Sequence, residues 1–351
     1  MPLFETVIGG IAASVFDGAI KMGRYTAKEI RGSYSEVEYT QRLMAAAKAY
    51  VDNYANRHCQ IKIMPGLMKE PRELVSIYTD VKILDNRSIW AFLGLEQLES
   101  AYREKGSRKF GPSEAKRLNG MAVANAKQFL MVLGGPGIGK STFLRKIGLE
   151  ALKKDGALKK ECIPVFLELK KFREETINIQ QKFVEEFEVC RFPAAEAFVT
   201  SALEQGKLLV LFDGLDEVPS KNLNQVIEKI EDFVDMHSQN AAGTEKQNSF
   251  VASCRIAAYR SSFRRFTDVT ISEFDDEQIQ QFIDRWFGSD EDQDLGTAKK
   301  YFNLLNQDDY KATKELAQTP LLLDFYAWCM TGSSFCQMSV ARYMARHSTL
   351  F

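Results

Sequence analysis

The chain has 351 residues, of which 45% are hydrophobic and 26% charged, as is usual for a soluble globular protein of two or three domains. Lys and Arg together number 46 against 47 for Asp and Glu, so the overall charge gives no indication of a nucleic-acid partner. The six cysteines lack the spacing of zinc ligands, and scattered thiols of this kind are typical of a reduced, cytoplasmic protein.

The N-terminal region, residues 1–110, is predicted to be mainly helical. Thr6–Phe16 is apolar but too short to span a bilayer, and it lacks the basic flank of a signal peptide. Glu36–Tyr54 is predicted to be an amphipathic helix. Its apolar face is formed by Tyr39, Leu43, Ala47, Tyr50 and Tyr54. Leu74–Leu84 is predicted to be extended and partly buried.

After a linker over residues 111–125, short apolar runs alternate with amphipathic helices. The predicted strands are Phe129–Leu133, Ile163–Leu169, Lys207–Phe212, Ser249–Cys254 and Asp268–Ile271. Strands separated by helical stretches indicate a parallel sheet that is covered by helices on both faces. We therefore predict a three-layer α/β core over residues 126–272.

A helical domain is predicted over residues 273–330. Its first helix is Asp276–Trp286, with Asp275 or Asp276 as the N-cap. The apolar face of that helix is formed by Ile279, Phe282, Ile283 and Trp286. A second, apolar helix over Thr319–Met330 begins at the Thr319-Pro320 start signal. Residues 331–351 form a tail whose apolar residues follow neither a helical nor a strand period.

One segment carries the complete pattern of a phosphate-binding loop, G-x-x-x-x-G-K-[ST]. It comprises Gly134, Gly135, Pro136, Gly137, Ile138, Gly139, Lys140 and Ser141, and Thr142 continues into a predicted helix. The glycines let consecutive N–H groups point at phosphate oxygens, and the helix N-terminus adds its dipole. Lys140 is predicted to neutralise the terminal phosphates, and Ser141 to offer its hydroxyl to Mg²⁺. With a strand before the loop and a helix after it, we predict an ATP/ADP site here.

A second part of the predicted site is the acidic string that follows the strand Lys207–Phe212. A buried parallel strand carries Asp213 to the carboxyl edge of the sheet, where ligands bind in such folds. Asp213 is predicted to hold Mg²⁺ together with Ser141. Asp216 and Glu217 lie just beyond and are predicted to orient or deprotonate an attacking water.

Together these motifs resemble the NACHT family of STAND nucleoside-triphosphatases, over approximately residues 125–330. Phe212–Glu217 is similar to that family's extended Walker B segment, and Ala252–Tyr259 to its sensor-1 segment. The resemblance implies that Arg255 contacts the terminal phosphate from the end of the neighbouring strand. Thr319–Leu322 resembles the family's proline motif, which implies that Pro320 packs against the adenine region.

The resemblance implies an AAA+-like P-loop fold and a slow ATPase that serves as a molecular switch. Such proteins rest in a closed, ADP-bound state, exchange ADP for ATP when triggered, and then oligomerise. The bacterial members that the chain resembles are innate immune receptors, often in antiphage defence, so we expect a protein or phage-derived trigger. Family members usually continue into a winged-helix domain and a sensor region. Because the sequence stops at Phe351 without a recognisable winged-helix pattern, we expect either a minimal member or a truncated form.

Three other functions stay open at this point. A P-loop kinase would need an Arg-rich lid over its acceptor, which Arg260–Arg265 resembles, although Asp213–Glu217 fits a hydrolase better. A remodelling ATPase would hydrolyse ATP quickly in constitutive rings, and an inert scaffold would bind nucleotide without turnover. Arg264 and Arg265 are candidates for an oligomer interface or a nucleic-acid contact, with a solvated basic face as the alternative.

Overall fold

The computed structural model describes residues 36–61, 71–84, 117–153, 155–173, 177–192, 194–238, 248–259 and 263–331. Thr6–Phe16, residues 111–116 of the linker that we predict over residues 111–125, and the tail after Thr331 lie outside these ranges. The chain divides into two compact units. The first, here the sheet unit, takes in Met1–Cys59, Met121–Leu133 and Ser141–Asp268. The second, here the helix unit, takes in Gln60–Gly120, Gly134–Lys140 and Val269–Phe351.

The elements are numbered in chain order across both units. The strands are β1 (Gln60–Ile61), β2 (Arg72–Glu73), β3 (Lys82–Leu84), β4 (Arg117–Asn119), β5 (Phe129–Gly134), β6 (Ile163–Glu168), β7 (Leu208–Asp213), β8 (Ser249–Arg255) and β9 (Thr267–Ile271). The helices are α1 (Glu36–His58), α2 (Leu74–Ile77), α3 (Gly120–Ala126), α4 (Lys140–Ala151), α5 (Ile179–Glu188), α6 (Ala195–Glu204), α7 (Leu223–Ser238), α8 (Asp276–Trp286), α9 (Asp290–Leu295), α10 (Thr297–Leu305), α11 (Lys311–Ala317) and α12 (Pro320–Thr331).

The sheet unit is built on strands in the order β5-β8-β7-β6. β6, β7 and β8 are parallel, with Glu168 opposite Asp213 and Phe212 opposite Ala252. These strands are almost continuously apolar and buried, which is the pattern of a parallel sheet that is covered on both faces. The predicted α/β fold class is confirmed. The register also brings the carboxyl ends of β7 and β8 to one edge of the sheet.

The first described helix, α1, packs on this sheet although it lies far from it in sequence. Tyr50 is 2% exposed; its hydroxyl donates to the Pro164 carbonyl of β6 at 2.8 Å, and its ring stacks on Phe187 of α5 at 4.5 Å. Tyr54 lies against Gly148 of α4, where a Cβ atom would come within 1.9 Å of its hydroxyl. The predicted helix and its buried residues are confirmed, while nothing is described of the Tyr39 side chain.

The helix unit has a short antiparallel sheet and an apolar helical core. β3 pairs antiparallel with β4 and with β9, with Ile83 opposite both Leu118 and Ile271. The predicted helix Asp276–Trp286 is confirmed, and Asp275 caps it in a capping box with Gln278. The buried core of the unit comprises Ile77, Phe274, Ile279, Phe282, Ile283, Trp286, Phe287, Tyr301, Leu305, Ala317, Leu323, Tyr326 and Ala327.

The prediction that Leu74–Leu84 is extended throughout was wrong in its first part. Leu74–Ile77 forms one helical turn, and only Lys82–Leu84 is a strand. Leu74 and Ile77 are both buried and stand three residues apart, which places them on the same side of a helix and on opposite sides of a strand. Within the described ranges, every helix is too short or too polar to cross a membrane.

The packing of α1 gives a testable prediction for the sheet unit. Tyr50→Ala is expected to lower the free energy of unfolding by roughly 3–5 kcal/mol, because it removes a buried ring from a stacked pair. Tyr50→Phe keeps the ring but leaves the Pro164 carbonyl without its donor, at a cost of about 1–2 kcal/mol. Urea unfolding of the purified chain measures both. Lys48→Ala, at an exposed position of the same helix, is the control; an equal effect there would contradict this account.

Candidate functional site

The predicted phosphate loop connects β5 to α4, which begins at Lys140. Gly137 and Gly139 have φ angles of +72° and +98°, a conformation that side-chain-bearing residues rarely adopt. Gly135 and Pro136 are exposed, whereas Ile138 is buried, and a Cβ at Gly134 would come within 2.6 Å of Ile138. The strand, loop and helix therefore follow one another as the phosphate-loop pattern requires.

The ammonium group of Lys140 is held at the loop. Its Nζ donates to the carbonyl of Gly134 at 3.0 Å and to that of Gly135 at 2.9 Å. A lysine in this position places its positive charge beside any anion that the loop amides bind. Thr142, half-buried in the first turn of α4, is the other predicted loop residue in this helix.

The first turn of α12 contacts the same loop, and both belong to the helix unit. Pro320 is the first residue of α12 and has no N–H. The N–H of Leu321 is therefore the first in the helix, and like other N–H groups of a first turn it has no acceptor within the helix. That N–H donates to the Gly137 carbonyl at 3.2 Å. A Cβ at Gly137 would lie 2.8 Å from Leu321 Cβ and 3.3 Å from the Thr319 side chain. The residues around Pro320 therefore pack against the phosphate loop, and the absence of a side chain at Gly137 permits it.

Ser141 and Asp213 come together in the sheet unit. The Ser141 hydroxyl donates to Asp213 Oδ1 at 2.9 Å. Ser253 of β8 donates to the same oxygen at 2.7 Å and accepts the Gly214 N–H at 2.9 Å. Burial raises the pKa of the Asp213 carboxyl, while these hydrogen bonds and the charge of Arg145 act in the opposite direction. A carboxylate and a hydroxyl side by side are oxygen donors of the kind that Mg²⁺ prefers.

Both carboxyl oxygens of Asp216 interact with Arg255. Its Oδ2 pairs with Arg255 Nε at 2.9 Å, and its Oδ1 accepts the Arg255 backbone N–H at 2.9 Å. The Asp216 side chain is 8% exposed and the Arg255 side chain 53%. Asp216 therefore fixes the end of β8 and the base of the Arg255 side chain, while the rest of that side chain faces solvent.

Glu217 is exposed and ends the 3₁₀ turn Leu215–Glu217. The turn starts from Gly214, whose φ of +79° again favours glycine. A Cβ at Gly214 would come within 3.2 Å of the Glu217 carboxyl carbon, so the glycine makes room for this side chain. Of the two acids, Glu217 is the one without an ion pair to Arg255.

Two contributors were missed by the sequence analysis. Ser253 lies in an apolar strand, where a small hydroxyl residue gives no signal of its own until the neighbouring strand brings Asp213 beside it. The Leu321 amide is a backbone group and has no residue signature. Arg264 and Arg265, considered as interface residues or as part of a kinase lid, pair with Glu231 and Asp235 of α7; Arg260 lies outside the described residues.

Comparison with known protein families agrees with this geometry. The family model of the NACHT domain matches residues 128–290. Residues 128–290 therefore match a NACHT domain, which is a P-loop NTPase domain of the STAND type, and the resemblance inferred from the motifs is confirmed over these residues. No curated protein matches the chain.

The contact between Gly137 and α12 predicts different effects for two glycine substitutions. Gly137→Ala and Gly139→Ala both place a side chain at positive φ, at a cost of about 1–2 kcal/mol each. Only Gly137→Ala also brings a Cβ against Leu321, whereas no atom lies within 4 Å of a Cβ at Gly139. We expect faster amide hydrogen exchange in the first turn of α12 for Gly137→Ala and no change there for Gly139→Ala. Equal exchange in the two variants would contradict the contact.

Proposed function

We propose that this chain is a molecular switch that binds ATP and ADP, hydrolyses ATP slowly and self-associates when it is activated. The observation that carries the proposal is the Ser141–Asp213 hydrogen bond, because it joins the residue that follows the phosphate-loop lysine to the end of a buried parallel strand. Ser253 fixes this pair from β8. The NACHT match over residues 128–290 supports the STAND class of switch.

The residues of this pair suit a magnesium–nucleotide complex. Mg²⁺ is usually held by one or two carboxylates together with phosphate oxygens, and here Asp213 and the Ser141 hydroxyl would hold it. When bound, the ion would neutralise charge on the phosphates and polarise the terminal one. The donated hydrogen bonds keep Asp213 oriented in advance, so little reorganisation is required of the side chain.

The other side chains are proposed to have separate roles in phosphate binding, in catalysis and in positioning. Lys140 and the loop amides neutralise phosphate charge, and Lys140 is already positioned by the Gly134 and Gly135 carbonyls. Glu217, exposed beside Gly214, is the proposed general base that orients and deprotonates a water. Asp216 is a positioning residue, because both of its oxygens hold Arg255. Arg255 would then contact the terminal phosphate.

The switch is proposed to act through α12. Its first turn packs on the phosphate loop through Leu321 and Gly137, so a change in the loop alters a contact of this helix directly. A terminal phosphate that binds more favourably to one of two arrangements of the chain shifts their relative populations. The size of the shift is set by the difference in binding free energy. Pro320 is proposed to pack beside the adenine. We further propose a cytoplasmic role in bacterial innate immunity, with a protein or phage-derived trigger, on the basis of the family alone.

The nucleotide content of the purified chain tests the proposal. The supernatant of denatured protein is expected to contain stoichiometric ADP on ion-exchange chromatography. Lys140→Ala should lose it, because removing one member of a charged contact weakens binding by at least 2 kcal/mol, or roughly thirtyfold. Lys229→Ala, which removes a half-exposed lysine of α7, is the matched control. Near-normal ADP in Lys140→Ala would refute the assignment of the phosphate loop.

The division of roles between the two acids is testable separately. Glu217→Gln is expected to retain ATP binding and to lower turnover by about 100-fold, since general-base catalysis commonly contributes that much or more. Glu228→Gln, at an exposed position of α7, serves as the control. Single-turnover hydrolysis with separately measured affinity distinguishes the effects on binding and chemistry. Unchanged hydrolysis in Glu217→Gln would place the base elsewhere.

A further inference from the structure

The helix that contacts the phosphate loop also contains a buried carboxyl group. Asp324 lies three residues after Leu321 in α12, so the two side chains are neighbours on one side of the helix. Asp324 is 0% exposed. Neither of its carboxyl oxygens has a hydrogen-bond partner in the part of the chain that the structure describes. Buried polar groups are nearly always paired, and an unpaired one destabilises the arrangement that buries it.

The positive charge that acts on Asp324 belongs to Arg72, whose guanidinium contacts another residue. The Arg72 guanidinium stacks 3.7 Å from the centre of the Trp286 ring and donates to the Trp286 carbonyl at 3.4 Å. Among the described residues no ion pair within 4.0 Å reaches Asp324, although Arg72 is close enough to affect its titration. Burial raises the pKa of the Asp324 carboxyl to about 7, and the charge of Arg72 acts in the opposite direction.

The surrounding core has further polar atoms without partners. Trp286 Nε1 and the Tyr301 hydroxyl are both buried and have no partner among the described residues, and both residues belong to the apolar core of the helix unit. A fully satisfied polar network would make this packing rigid, whereas an unsatisfied one leaves it less stable than an apolar core of the same shape. The packing of α12 therefore combines a favourable contact at Leu321 with an unfavourable one at Asp324.

We propose that Asp324 destabilises the packing of α12 in the core of the helix unit, so that this helix also leaves the phosphate loop readily and nucleotide exchange is faster than with an apolar residue at this position. The inference on exchange rests on the proposed nucleotide switch, whereas the inference on α12 packing does not. A buried polar group without a partner shifts such an equilibrium by roughly tenfold or more.

The test compares Asp324→Leu and Asp324→Asn with the unmodified full chain. Leucine removes the polar group, and asparagine keeps its shape while removing the ionisable proton. Asp309→Asn, an exposed acid of the same unit, is the control. Two quantities are measured: amide hydrogen exchange over Pro320–Asp324 without added nucleotide, and the rate of release of a fluorescent ADP analogue.

The proposal predicts slower exchange and about tenfold slower ADP release for Asp324→Leu, with Asp324→Asn changed in the same direction by less. If both variants exchange faster than the unmodified chain, Asp324 stabilises α12 and the proposal is overturned. If exchange slows while ADP release is unchanged, the link to the phosphate loop is refuted. Failure of the unmodified chain to bind ADP would instead refute the proposed function, and hydrogen exchange would still test the role of Asp324. Should the leucine variant not fold, the asparagine variant decides.

A pH series gives an independent readout. The folded pKa of Asp324 lies above its ordinary value, so protonation favours the packed state, and this stabilisation is lost as the pH rises toward about 7. Arg72 is the charged group that acts on Asp324, and Asp292 acts in turn on Arg72. Exchange in α12 of the unmodified chain, corrected for intrinsic amide rates, should increase between about pH 4 and pH 7 and level off above that. The same increase in Asp324→Asn would overturn the assignment.

Discussion

The carboxyl edge of the sheet unit is organised by one partly buried carboxyl group, Asp213, and by the hydroxyl groups that donate to it. A carboxylate at the end of an apolar strand is costly to bury unless donors surround it. Here the donors are Ser141, at the start of α4, and Ser253, in β8. Because Ser253 also accepts the Gly214 N–H, the same hydroxyl fixes the turn that leads to Asp216 and Glu217. The positions of the proposed metal ligand Asp213 and of the turn that carries Asp216 and the proposed general base Glu217 are therefore set by a few shared hydrogen bonds.

The motif residues could be predicted because each is required by the local backbone geometry or chemistry, and such requirements are visible in a short stretch of sequence. The glycines of the phosphate loop, the lysine after them and the acid at the end of an apolar strand are each fixed by short-range geometry. Ser253 could not be found in this way, since its role arises only from the register between β7 and β8. The apolar face of α1 was also predicted, but periodicity identifies a buried face and not its partners. The contacts of Tyr50 with Pro164 and Phe187 join segments more than a hundred residues apart.

The roles of Asp216 and Glu217 could not be distinguished from the sequence, because two adjacent acids offer the same chemistry. Their surroundings differ in the folded chain. Asp216 is nearly buried and holds Arg255 through both oxygens, so its negative charge is already matched by a cation. Glu217 is exposed beside a glycine that leaves room for it. Coupling of Asp216 to Arg255 also means that a substitution at either residue disturbs the end of β8, and loss of activity there would not by itself identify a catalytic group.

The contact between α12 and the phosphate loop contains contributions of opposite sign. The Leu321 N–H, which has no partner within its own helix, gains one at Gly137, and only a glycine there allows the approach. One turn further on, Asp324 is buried without a partner among the described residues, which opposes the packing of α12 in the core of the helix unit. A helix held by the first effect alone would separate slowly from the loop. In the proposed switch, the second effect brings the two arrangements of α12 closer in free energy, so that a modest difference in affinity for a terminal phosphate changes which one predominates.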